Sequence, residues 1–311
     1  GMAQLAGRLL NELDEEGFPG VGDWVLLKSP PGPGSTTIIE RVLNRRTVFV
    51  RGAAGRESRG QVVAANVNLV FVVCGLDADY NPRRIERYLA RIWASGAQPA
   101  VLLNKADLCD ESQDRALEVE GHCPGVEVYT ISALHGEGLD ELRALILPGQ
   151  TAAFVGSSGA GKSTLVNALL GEQRMATGEV RERDGRGCHV TSHRQLVLLP
   201  DGGLVLDTPG MRELQLMDED GLDAVFAEIA ELAAGCRFND CRHDTEPGCA
   251  VRLAVEEGRL PAERLEHYRK LEQEAKAYEL RHNEHLRRKS EKVWGQLYDE
   301  VALLRRKKRS D

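Results

Sequence analysis

The rhythm of apolar and polar positions changes near Asn66. Ahead of it run short β-rich segments, "DWVLLKS", "STTIIERVL" and "RTVFVRG", divided by "PPGPG" and "GAAGRESRG". β-branched runs bounded by Pro/Gly turns predict a small all-β module over residues 1–65, a partial barrel. From Asn66 the texture becomes apolar strands alternating with amphipathic helices: "NLVFVVCGL", a helix from Pro82 to about Ser95, "PAVLLNKADL", "VEVYTISA", a helix through "GLDELRALI", and "TAAFVG". Strand, helix, strand in this order predicts a parallel sheet with helices on its faces, over residues 66–218. Within it, "QLVLLPDGGLVLDTPG" reads as a hairpin with an Asp-Gly-Gly turn, an antiparallel pair for the sheet edge. Beyond Asp218 the pattern is helical, broken by a cysteine-rich turn and ending in long charged helices from about Pro261, a third unit over 219–311. There is no internal repeat.

Composition narrows the function classes. The 311 residues carry a net charge of −8, which opposes non-specific adhesion to nucleic acid or anionic membrane unless basic residues are segregated. They are: Arg281–Asp311 holds ten Lys or Arg against five acids, and Arg41–Arg59 holds six Arg against Glu57 alone. No run of about 18 apolar residues exists and no secretory signal pattern opens the chain, so a cytoplasmic protein without membrane contact is expected. Gly1 ahead of Met2 reads as a tag remnant. Of seven cysteines, Cys74, Cys109, Cys123 and Cys188 are scattered while three crowd together around a histidine, which argues for a metal site over a disulfide framework.

The strongest motif is "GSSGAGKS", Gly156, Ser157, Ser158, Gly159, Ala160, Gly161, Lys162 and Ser163, followed by Thr164. It satisfies G-x-x-x-x-G-K-[ST] between an apolar strand and a helical pattern. Successive backbone N–H groups can converge there on phosphate oxygens, with Lys162 on the β and γ phosphates and the Ser163 hydroxyl on Mg²⁺. The base is read elsewhere. In "NKAD", Asn104, Lys105, Ala106 and Asp107, a carboxylate can accept from guanine N1–H and the exocyclic amine, a pair that adenine lacks. Asn104 would bond guanine N7 or brace the loop, and the Lys105 stem would cover the base. "ISA" adds Ser132 as a brace and the Ala133 N–H as a donor to guanine O6. Three motifs at strand ends, phosphate plus purine edge, fit ligand binding at the carboxyl edge of an open α/β sheet.

"LVLDTPG" supplies the remaining elements: Asp207 to hold Mg²⁺ through water, then the switch Thr208, Pro209 and Gly210, whose Gly210 N–H would sense the γ phosphate. The polar, Gly-rich "RERDGRGCHVTSHRQ" reads as a second switch, with Thr191 as the candidate hydroxyl on Mg²⁺. The order of these elements is base, base, phosphate, switch, switch. The chain therefore resembles a circularly permuted GTPase, cut after its second switch and with its old ends joined near Leu147–Thr151; permutation at an exposed connection leaves the packed sheet intact. The switch at Gly210 then leads directly into the cysteine cluster. That cluster, Cys236, Cys241, His243 and Cys249, has C-x4-C-x-H-x5-C spacing, three thiolates and an imidazole for one closed, structural, tetrahedral Zn²⁺.

Permuted motif order, a β module in front and this cysteine/histidine spacing behind resemble the ribosome small-subunit-dependent GTPase A (RsgA) family. The match covers nearly the whole chain, strongest in "VGDWV", "ANVNLVFVV", "NKADL", "ISALHGEGLDEL", "GSSGAGKSTLVNAL", "DTPGMREL" and "CRFNDCRHDTEPGCAV". The resemblance implies an α/β fold: a circularly permuted P-loop GTPase domain, a shortened N-terminal OB-like β-barrel and a C-terminal helical zinc-binding domain. It implies hydrolysis of GTP to GDP in late maturation of the small ribosomal subunit, stimulated by that subunit, with rRNA as partner and a monomeric chain. Two departures stand out. The chain reaches "VGDWV" already at Val21, so barrel strands are missing relative to the family, and the family's switch His-Thr-Thr-Thr is here "HVTS". Met211 stands where a water-orienting Gln would follow the Asp207 motif. The family points instead to His189 as the catalytic group, while a solvent-facing loop histidine is the other reading of that residue. Two other readings compete with this one: an ATPase or kinase with an incidental "NKAD", and a zinc-stabilised RNA-binding module for which GTP is a ligand only.

Overall fold

A computed structural model describes residues 1–13, 17–32, 34–52, 60–173, 195–207 and 220–282. The N-terminal residues form β1 (Met2–Leu5), a short helix α1 (Gly7–Glu12), β2 (Val25–Leu27), β3 (Thr36–Val42), β4 (Val48–Gly52) and β5 (Gly60–Ala65). These make a three-stranded sheet of order β1-β3-β2 and a separate antiparallel hairpin β4-β5, and Val21, ahead of β2, forms an isolated bridge with Ala64 of β5. The β-rich module read from the sequence is therefore present, with α1 as an added element. Its described strands lie in two small sheets compatible with a shortened barrel.

The central layer is a six-stranded sheet of order β10-β11-β9-β6-β7-β8. Its strands are β6 (Leu69–Gly75), β7 (Gln98–Asn104), β8 (Glu127–Thr130), β9 (Thr151–Val155), β10 (Gln195–Leu198) and β11 (Leu204–Asp207). All neighbours are parallel except β10, which pairs antiparallel with β11 at the edge. Between the strands run α2 (Pro82–Ala94), α3 (Ser112–His122), α4 (Leu139–Leu145) and α5 (Lys162–Leu170). Asn81 caps α2, its side chain accepting the Arg84 N–H at 3.1 Å, and Pro82 occupies the first helical position where no N–H is needed. The helix α3 was not read from the pattern, and the reason is visible: only Ala116 and Val119 of its eleven residues are buried.

The central strands are apolar through their interiors because both faces are covered, with polar residues such as Gln98, Asn104 and Thr151 only at their ends, and side chains alternate between two cores. Val70, Val72 and Cys74 of β6 join Val101 and Leu103 of β7 under α2. Phe71 and Val73 join Leu102 and Phe154 on the opposite face, beneath α4 and α5, with the rings of Phe71 and Phe154 stacked 5.1 Å apart.

Past the sheet follow α6 (Asp220–Val225), α7 (Ala227–Ala233), α8 (Ala250–Glu256) and α9 (Ala262–His282). Their apolar residues, including Phe226, Ile229, Val251, Leu265 and Leu271, belong to the same core as α2. A buried ionic cluster fixes this contact. Glu86 of α2 is 2 % exposed; Arg264 of α9 donates to it, and His267 Nδ1 lies 2.6 Å from its other oxygen without the alignment of a hydrogen bond. Arg264 also donates to Glu228 at 2.6 Å and to the carbonyl of Val225 at 2.8 Å, and its guanidinium sits over the Phe226 ring. Among the described residues no helix is long and apolar enough to cross a membrane.

Candidate nucleotide and zinc sites

Three motif-bearing loops leave the carboxyl ends of parallel strands: Asn104–Asp107 after β7, Ile131–Ala133 after β8 and Gly156–Lys162 after β9. Side chains tie them together across long stretches of sequence. Asn104, buried at the end of β7, donates from Nδ2 to the Ala160 carbonyl of the phosphate loop at 2.8 Å and accepts the Ala133 N–H on Oδ1 at 3.0 Å. One amide thus braces both the phosphate loop and the "ISA" loop, and in this arrangement the Ala133 N–H points to Asn104. Ser132, fully buried, donates to Asp107 Oδ1. That hydrogen bond, with the nearby His135, holds the Asp107 carboxyl below its ordinary pKa, so the group is an ionised double acceptor at neutral pH. Lys105 has a left-handed backbone, φ 63°, and its ammonium pairs with Asp77 at 2.5 Å.

The phosphate loop is shaped by two glycines that no other residue can replace without collision. Gly156 has φ 141° and a Cβ there would strike the Val73 carbonyl; Gly161 has φ 96° and a Cβ there would strike the Asn104 amide. Helix α5 begins directly after Gly161, so the N–H groups of its first turn and Ser163 face the loop. Lys162 reaches back to the carbonyls of Gly156 and Ser157. Ser158 and Gly159 are exposed at the tip, and Ser163 and Thr164 are half-buried.

Sequence reading missed the loop of the strand in between. After β6, "GLDADYN" carries Asp77 on Lys105 and Asp79, which accepts from Ser157 and pairs with Arg84 at 2.6 Å. Burial raises the Asp77 pKa, but the Lys105 ammonium and the Asp79 N–H outweigh it and hold the carboxyl below its usual value. The loop therefore touches the base motif with one carboxylate and the phosphate loop with the other. The available signal was positional: β6 lies between β9 and β7, so its end must lie between their motifs. His135 was also missed, and it stands 3.1 Å from Ser132 Oγ. His189, Thr191, Thr208, Pro209 and Gly210 lie outside the described residues, as does the side chain of Asp207.

The second site lies in the loop between α7 and α8. The ligand atoms of Cys236, Cys241, His243 and Cys249 all fall within 4.8 Å of one another. His243 Nδ1 is 3.6 Å from Cys236 Sγ and 3.4 Å from Cys249 Sγ, and those sulfurs are 3.9 Å apart. A tetrahedral ion with Zn–S bonds of about 2.3 Å requires sulfurs about 3.8 Å apart, so the donor set fits zinc in both chemistry and spacing. Local structure prepares the ligands. His243 takes a left-handed backbone, φ 58°, and burial lowers its pKa, leaving the neutral imidazole that a metal needs. Burial raises the Cys236 thiol, yet the N–H groups of Val251 and Ala250 outweigh it and favour the thiolate. Cys249 caps α8, accepting the Arg252 N–H at 3.4 Å. The His243 ring lies 6.4 Å from Tyr268 of α9, and Tyr268 meets Phe226 edge-on. The metal loop is thus seated on the helices that Arg264 and Glu86 join to the sheet.

A P-loop on β9, the Asn104–Asp107 and Ile131–Ala133 motifs on strands that precede it in the chain, and a closing hairpin β10-β11 define a circularly permuted P-loop GTPase. The sequence profile of the RsgA GTPase family matches residues 42–217. A relative from Lactiplantibacillus plantarum, named small ribosomal subunit biogenesis GTPase RsgA 2, is 50% identical over 273 residues, 88% of this chain and 76% of that one. Another from Opitutus terrae, named small ribosomal subunit biogenesis GTPase RsgA, is 47% identical over 307 residues, 95% of this chain and 83% of that one. Among solved structures, YjeQ from Thermotoga maritima superposes with a TM-score of 0.64 at 29% identity, covering 88% of this chain and 89% of that one. YloQ, described as a circularly permuted GTPase, gives 0.59 at 25% identity over 84% and 82%. The chain belongs to the RsgA GTPase family.

Proposed function

We propose that this protein hydrolyses GTP to GDP and phosphate during maturation of the small ribosomal subunit, and that binding to the subunit stimulates the reaction. The observation that carries the reading is the side-chain lattice from Asn104 to Ala160 and Ala133 and from Ser132 to Asp107, which joins a guanine-reading carboxylate to a phosphate loop. The names of the relatives supply the ribosomal partner. In this reading residues 1–65 form the OB-like unit, 66–218 the GTPase domain and 219–311 the zinc domain, with the zinc ion structural.

Asp107 selects guanine, the phosphate-loop N–H groups and Lys162 take the β and γ phosphates, and Ser163, Thr191 and Asp207 would hold Mg²⁺. When bound, Mg²⁺ neutralises charge on the β and γ oxygens. Water attacks the γ phosphorus, its oxygen forms the new P–O bond, and the bond to the β–γ bridging oxygen breaks to leave GDP and phosphate. His189 orients that water, since Met211 has no group to do so. The basic stretches Arg41–Arg59 and Arg281–Asp311 meet rRNA phosphates, which makes docking strongly salt-dependent. Protein of this kind works in the cytoplasm as a monomer. The test is GTP turnover with and without purified small subunits, for the native chain and for His189→Ala. Stimulated phosphate release that His189→Ala loses supports the reading, while stimulation that His189→Ala fully retains removes His189 from it. Absence of phosphate release under both conditions leaves a GTP-binding module in place of an enzyme.

A further inference from the structure

His135 lies just beyond the guanine-reading residues and shares their hydroxyl. Ser132 Oγ has one proton and two lone pairs, and all three are engaged. The proton goes to Asp107 Oδ1. The lone pairs face the His135 backbone N–H at 3.3 Å and the His135 ring Nδ1 at 3.1 Å. Because the single hydroxyl proton is spent on Asp107, the ring contact requires Nδ1 to carry a hydrogen and to donate. The chain of donors therefore runs from His135 Nδ1–H to Ser132 Oγ–H to Asp107. The same Nδ1 stands 3.8 Å from Asp107 Oδ2, beyond hydrogen-bonding range but close enough to favour the ionised carboxylate.

We infer that His135 is a positioning residue for guanine specificity, acting through Ser132 to fix the rotation of the Asp107 carboxylate. The inference rests on the guanine reading of Asp107 proposed above. A carboxylate must present both acceptors in the plane of the base to receive N1–H and the 2-amine together. Ser132 pins one oxygen; the His135 backbone N–H holds its hydroxyl from one side, and the His135 ring adds the second hold, the one a side-chain substitution removes, from the exposed side of the loop. Loss of the ring leaves Ser132 and the backbone N–H in place, so the loop keeps its fold while the carboxylate gains rotational freedom.

The consequence is a selective defect. Guanine uses both carboxylate acceptors, whereas hypoxanthine, which lacks the 2-amine, offers only N1–H, a single bond that a rotated carboxylate still accepts. Calorimetric binding of GDP and IDP to the full chain, to His135→Ala and to His135→Asn tests this. Asn places an amide group near the position of Nδ1 and restores the donor. For His135→Ala we expect GDP to bind about fivefold to tenfold more weakly with IDP changed by less than about twofold, the scale of one ordinary hydrogen bond. His135→Asn returns the GDP-over-IDP ratio towards that of the native chain. An unchanged ratio in His135→Ala, or equal losses for both nucleotides, overturns the inference. A native chain that fails to prefer GDP over ADP overturns the guanine reading itself, and the inference falls with it.

Discussion

The proposed nucleotide pocket and the cysteine/histidine loop are built on opposite plans. The pocket draws Asn104, Asp107, Ser132, Ala133 and Ala160 from three strand ends and joins them by side-chain hydrogen bonds between residues far apart in sequence. Its shape is a property of the packed sheet. The cysteine/histidine loop takes all four candidate ligands from Cys236 to Cys249, and the start of α8 directs two of them, with the N–H groups of Ala250 and Val251 on Cys236 and that of Arg252 on Cys249. One tetrahedral ion would close it. The difference teaches that one site is pre-formed by topology and the other by local chemistry, so perturbations should separate them.

Removing the metal breaks the comparison most severely. Zinc in a small closed site contributes about 10 kcal/mol or more of local folding free energy, so a chelator, or Cys241→Ser, should expose residues 236–256 to amide hydrogen exchange. Protection at Asn104 and Ala133 should persist; its simultaneous loss would mean that the two sites are one cooperative unit. Next comes the seam between them. Arg264→Ala leaves Glu86 buried without its guanidinium, and about 3 kcal/mol of stability should be lost, read as a lower denaturation midpoint with GDP affinity retained. In the phosphate loop, Gly161→Ala drives a Cβ into the Asn104 amide and should weaken GDP by about 100-fold without changing zinc content. Asp107→Asn exchanges an acceptor for a donor and should weaken GDP by roughly 30-fold while favouring xanthosine diphosphate. Equal binding of GDP and XDP by that variant would detach Asp107 from base recognition.

What was readable in advance follows the same division. The helix at Pro82, the hairpin β10-β11 and the parallel order of β6 to β9 are written in local periodicity and turn chemistry, and they stand at those positions. The cluster of Cys236, Cys241, His243 and Cys249 was readable because its members are close in sequence. The pairings of Asp77 with Lys105 and Asp79 with Ser157 were not, because they arise only when strand order places the end of β6 between two motifs. Nor was the Glu86–Arg264 cluster: Glu86 sits on a helix whose exposed positions are also charged, and only the docking of α9 buries it. The α3 helix escaped because its buried face is two residues wide.

The central claim is that a permuted guanine-nucleotide site drives subunit-dependent hydrolysis, and GTP turnover measured against added small subunits over a salt series tests it most directly. Slow phosphate release by the protein alone, marked acceleration with subunits, and a stimulation that falls steeply as salt screens the phosphate contacts are expected. Turnover that is unaffected by subunits at every salt concentration would contradict it.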